Sequence, residues 1–114
     1  MSIEARINIE RKLIAHLCKT MREYGWQPHA VDNGEGLEVC DTDEEILDHV
    51  FSVDESTIIF QQGVAGRRHR VFIVLGNDGY DAICYYSYSE ADDFDQIMKT
   101  YVDPYAEQLE NGEV

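Results

Sequence analysis

Between Thr57 and Tyr88 the sequence offers three strand-like segments joined by turns, with no helical segment among them. Thr57 to Gln61 is β-branched and aromatic. Arg70 to Leu75 carries the apolar run Val71-Phe72-Ile73-Val74-Leu75, which predicts a central strand covered on both faces or nearly so. Gly76-Asn77-Asp78-Gly79 has hairpin-turn chemistry, and Tyr80 to Tyr88 reads as the third strand. A run of strands joined by turns argues for an antiparallel sheet with the helices segregated to one side. A helix-wrapped parallel sheet would need a strand–helix–strand alternation that this chain does not sustain.

Upstream, Ser2 to Tyr24 reads as a helix, with Ser2 as N-cap and Gly25 as a left-handed stop. Ile3, Ile7, Ile14, Leu17, Cys18 and Met21 fall on one arc, with Leu13 and Tyr24 on its flank. Arg11, Lys12, Lys19 and Arg22 occupy the opposite face. Trp26 to Val31 is extended, and Pro28 confines it to a sheet edge or a strand start. A turn at Asp32 to Gly36 leads into a short return strand, Leu37 to Cys40. Thr42-Asp43-Glu44-Glu45 fits a capping box opening a helix to about Ser52. The last segment, Ala91 to Leu109, places Phe94, Ile97, Met98, Tyr101, Tyr105 and Leu109 on one arc, with Pro104 as a kink or restart. The expected fold is α+β in the order α-β-β-α-β-β-β-α, with four to five strands and three helices. Residues 1–110 form one domain and residues 111–114 a frayed tail.

Charge along the chain is sorted. From Glu23 through Gly66 there are eleven acidic residues and neither Lys nor Arg, in a molecule of net charge -14. Such a field repels nucleic acid and anionic membrane and attracts basic surfaces. Aromatics at 11% and apolar residues at 44% nevertheless argue for a packed core over a disordered acidic tail. Cys18, Cys40 and Cys84 are odd in number and widely spaced, so a disulfide framework is not expected; each reads as a small buried hydrophobe. The chain shows no signal-peptide pattern, and a cytoplasmic setting is expected.

No pattern of residues specifies catalysis or a cofactor. His16, His29, His49 and His69 lie in four separate elements without metal-ligand spacing, and His69 is flanked by Arg68 and Arg70, which disfavour its protonation. Asp41-Thr42-Asp43-Glu44-Glu45 lacks the frame of a calcium loop. No metal or cofactor is expected, nor an enzyme. Two surfaces stand out. One is the acidic stretch represented by Glu35, Glu38, Asp41, Asp43, Glu44 and Asp48. The other is the basic cluster Arg67, Arg68 and Arg70, suited to holding a small anion or to neutralising nearby acids. Tyr80, Tyr85, Tyr86 and Tyr88 crowd the third strand, where alternation sends Tyr86 and Tyr88 to one face and Tyr85 to the other.

Ser2 to Ile14, Phe51 to Ile58 and Val74 to Ala82 together resemble short acidic bacterial proteins of unassigned function found on plasmids, phages and other mobile DNA. The resemblance covers most of the chain and implies a bacterial cytoplasm, but no activity and no functional residues. The reading that follows is a non-enzymatic interaction protein whose acidic surface engages a basic protein, with direct nucleic-acid binding disfavoured. The alternatives are a homo-oligomeric accessory module, or a small-anion binder acting through Arg67, Arg68 and Arg70.

Overall fold

A computed structural model describes residues 2–114. The elements run α1 (Ile3–Glu23), β1 (Trp26–Asp32), β2 (Leu37–Val39), α2 (Asp43–Val50), β3 (Glu55–Gln62), β4 (Arg68–Val74) and β5 (Ile83–Tyr86). A last helical rod consists of α3 (Phe94–Ile97), a π-helical turn (Met98–Val102) and α4 (Asp103–Glu110). The five strands form one sheet in the order β2-β1-β3-β4-β5, antiparallel at every pairing. This is the expected α+β architecture and element order.

Local chemistry sets the helix starts. Ser2 Oγ accepts the Ala5 N–H at 3.1 Å, and Gly25 closes α1 at φ 89°. Thr42 Oγ1 accepts the Glu45 N–H at 3.2 Å; the return bond from the Glu45 side chain does not form, so only half of the capping box is present. Leu13, Ile14, Leu17, Cys18 and Met21 are fully buried, so Leu13, expected on the flank, is as deeply packed as the rest of the arc. Ile3, at the free end of that arc, is 69% exposed.

The helices cover one face of the sheet. Trp26, Val31, Ile58, Phe60, Val71 and Ile73 point into this core. Across the opposite face runs a row formed by Leu37, Asp32, Thr57, Phe72 and Tyr85, one residue from each strand. β4 is central by pairing but covered on one face only, contrary to the reading of its apolar run. Val71 and Ile73 are buried, whereas Phe72 and Val74 are partly exposed on the other face. There Phe72 stacks on Tyr85 at 5.0 Å.

Several expectations need correction. β1 is an interior strand despite Pro28; β2 pairs only with Ala30 to Asp32, so it ends before Pro28, where the β1–β3 register also shifts. The strand expected over Tyr80 to Tyr88 is paired only from Ile83 to Tyr86. Cys84 is the extra residue of a bulge there and is exposed, not buried. Tyr88 lies beyond the strand and is 63% exposed, whereas Tyr86 is half-buried. The residues from Gly76 to Ala82 do more than turn the chain. The Gly76 N–H donates to Glu10 Oε2 at 2.8 Å, and Gly79, at φ 97°, packs so closely on α1 that a Cβ would meet Ile9 Cγ2 at 2.9 Å. Glu10 is 1% exposed as a result.

In the last rod the π-helical turn inserts one residue into the helical phase. Val102 therefore rotates into the core and Tyr101, expected there, is 44% exposed. Pro104 follows in the first turn of α4, where its missing N–H costs little. The tail is partly tied: Gly112 adopts φ 72° and the Glu113 N–H donates to Gln108 C=O at 2.9 Å.

Candidate interaction surface

The acidic residues singled out from the sequence gather around β2 and α2. Glu35 lies in the β1–β2 turn, Glu38 in β2, Asp41 between the two elements, and Asp43, Glu44 and Asp48 on α2. α2 buries Ile46 and Val50 and leaves Glu44, Glu45 and Asp48 exposed. Arg22 Nη2 reaches Asp43 Oδ1 at 2.5 Å. Among the described residues Glu35, Glu38, Asp41, Glu44, Glu45 and Asp48 have no Lys or Arg within ion-pair distance. Elsewhere Arg6 faces Glu10, Arg67 Asp92, Arg70 Asp32 and Lys99 Asp95, Arg11 lies over the Phe51 ring, and Lys12 and Lys19 stand exposed on α1.

β2 itself is exposed at every position, with Leu37 and Val39 at 50% and 59%. Beside its end lies a hollow of about 380 Å³ walled by Gln27, His29, Val39, Gln61 and Val64. Asp41 lines both this hollow and a more open one at the start of α2 shared with Arg22, Thr42, Asp43 and Glu44. Burial pushes the Cys40 thiol up, and the charges of Glu45, Glu38 and Asp41 push it further. Burial, chiefly, also raises Cys18 well above the ordinary thiol value, so neither thiol is poised as a nucleophile.

The basic cluster is divided among separate acceptors. Arg68 Nε donates to Gln61 Oε1 at 2.8 Å, Arg70 Nη1 lies 4.0 Å from Asp32, and Arg67 Nη1 lies 3.8 Å from Asp92 and 3.4 Å from Ser89 Oγ. Strand alternation sends Arg68 and Arg70 to the helix-free face, and it sends His69 the other way.

His69 is thereby removed from its charged neighbours in sequence. It is 4% exposed, with Nδ1 2.8 Å from Ser87 Oγ and Nε2 2.8 Å from Asp92 Oδ2. Phe94 stacks on the ring at 4.5 Å and Trp26 meets it edge-on at 5.1 Å, while Trp26 Nε1 donates to Asp93 at 3.0 Å. Ser, His and Asp are in contact here, but Ser87 Oγ already accepts the Arg70 N–H at 2.9 Å and the imidazole is closed in by aromatic rings. The group ties the segment after β5 to β4 and to the start of α3. Sequence reading missed it because Ser87, His69 and Asp92 are far apart along the chain. The exposed edge formed by Leu37 and Val39 was missed for another reason: short apolar-acidic alternation looks the same in an inner strand.

The chain matches no protein-family model, no curated protein and no solved structure. Among the described residues no cluster of His, Cys, Asp and Glu is arranged to hold a metal ion, and no helix is long and apolar enough to cross a membrane.

Proposed function

We propose that this protein is an interaction module whose β2–α2 surface engages a basic protein. The observation that carries the reading is the set of six carboxylates from Glu35 to Asp48 without a Lys or Arg within ion-pair distance, in a stretch from Glu23 to Gly66 that holds neither residue type. An unpaired anionic surface of this kind accelerates encounter with a cationic one and disfavours polyanions. In a bacterial cytoplasm, the setting implied by the resemblance to mobile-DNA proteins, basic proteins that otherwise hold nucleic acid are the natural targets. The protein would act by occupying their basic groove.

The test is fluorescence anisotropy with a labelled Lys/Arg-rich peptide at about 0.05 M and about 0.5 M salt. Binding at low salt that weakens at high salt is expected. It should fall in the variant E38Q/E44Q/D48N and persist in E107Q/E110Q, whose neutralised acids lie on α4. Equal losses in both variants would overturn the assignment to this surface, and no binding at low salt would overturn the function.

A second reading has its own observation. The Phe72–Tyr85 stack stands on the helix-free face of the sheet, with Tyr85 63% exposed, a contact suited to self-association. Light scattering over a range of concentrations at moderate salt decides it; a monomer throughout removes it.

A further inference from the structure

Backbone direction alternates along β2. The Asn33 N–H donates to Gly36 C=O at 3.4 Å and the Cys40 N–H to His29 C=O at 2.9 Å, so residues 36, 38 and 40 face β1. Leu37 and Val39 therefore turn their N–H and C=O groups to the outer edge of the sheet. Side chains alternate on the perpendicular axis. Leu37 and Val39 stand on the helix-free face, whereas Glu38 pairs with the core residue Val31 and so stands on the side where α2 packs. The open edge is thus apolar above and acidic below.

We propose that β2 accepts a sixth strand: an extended segment of a partner protein in which apolar residues alternate with Lys or Arg. The inference rests on the acidic-surface reading above and specifies its mode. Main-chain groups of Leu37 and Val39 supply the pairing, and alternate side chains supply the selection. Apolar residues of the incoming strand lie beside Leu37 and Val39, where the hollow walled by Val39, Gln27, His29 and Val64 receives one of them. Its basic residues fall on the other face, beside Glu38 and the α2 carboxylates. Charge decides the occupant. A second copy paired edge to edge would set Glu38 and the α2 acids against their own kind, which is how short charged edges avoid self-pairing.

Two labelled peptides of identical composition test this, one alternating Val or Ile with Lys or Arg and one with the basic residues in a block. Each is titrated into the wild type and into Val39→Pro, which removes an outward N–H while leaving the bonds to β1. The alternating peptide should bind the wild type about tenfold more tightly than the block peptide, and the difference should vanish in V39P. Bound alternating peptide should also slow amide exchange at Leu37 and Val39. Equal, salt-sensitive binding of both peptides overturns strand addition and leaves the acidic-surface reading standing. Binding of neither at low salt overturns both. If V39P does not fold, amide exchange in the wild type decides: unprotected Leu37 and Val39 with the alternating peptide bound overturn the proposal.

Discussion

His69 shows how far a residue's chemistry is set by neighbours that are distant in sequence. Burial pushes the Asp92 carboxyl up, yet the hydrogen bonds from His69 and the Phe94 N–H, with the charges of His69 and Arg67, bring it below its ordinary value. An acid whose folded value is depressed contributes stability that is present above its unfolded value and lost as pH falls through the folded one. Urea unfolding followed from about pH 7 to about pH 3 should therefore show stability eroding below about pH 4. Asp92→Asn should be less stable than the wild type at neutral pH, with a shallower decline on acidification. An unchanged slope would remove Asp92 from the account. Gly79 makes a second case at this scale. A side chain there meets Ile9 and the Arg6 carbonyl, at a φ that L-residues rarely adopt. Gly79→Ala should cost about 2 kcal/mol or more in thermal or chemical unfolding, whereas Gly36→Ala, with open space and no positive φ, should cost far less.

Elements that depend on their own sequence were legible; those shaped by packing were not. Thr42 and Ser2 announce helix starts through bonds within one turn, and both form as expected. Thr42→Ala should lower stability by about 1 kcal/mol without changing the fold, measurable by denaturant titration; no loss would show that the cap is idle. The π-helical turn, by contrast, leaves no local signature. Tyr101 and Val102 both fit an apolar arc, and only the seat available beneath the rod selects Val102. β5 shortened for a similar reason: Gly76 and Gly79 dock on α1, so Tyr80 to Ala82 are used to return the chain to β4 and cannot lie flat beside it. At the candidate surface the acids could be read from the sequence, because charge needs no partner to be seen. The outward-facing edge of β2 depends on which strand pairs with which, and strand order is a property of the whole sheet.

The whole molecule carries -14, and six carboxylates of the β2–α2 surface have no Lys or Arg within ion-pair distance. One field then acts on two processes with opposite consequences. Folding brings like charges together, so self-repulsion weighs on the compact state; association with a basic strand brings unlike charges together, so the same field favours the complex. Raising sodium chloride from about 0.05 M to about 0.5 M shortens the screening distance from about 14 Å to about 4 Å. The melting temperature should therefore rise, by roughly 4–6 °C if screening returns about 1 kcal/mol. Over the same interval the affinity for the basic peptide should fall. Scanning calorimetry and anisotropy on one preparation measure both. A melting temperature that is flat or falls with salt would mean that the paired cations already neutralise the field locally. The attraction assigned to the β2–α2 surface would then lose its physical source, because the carboxylates that repel one another in the free protein are the ones that must draw the partner in.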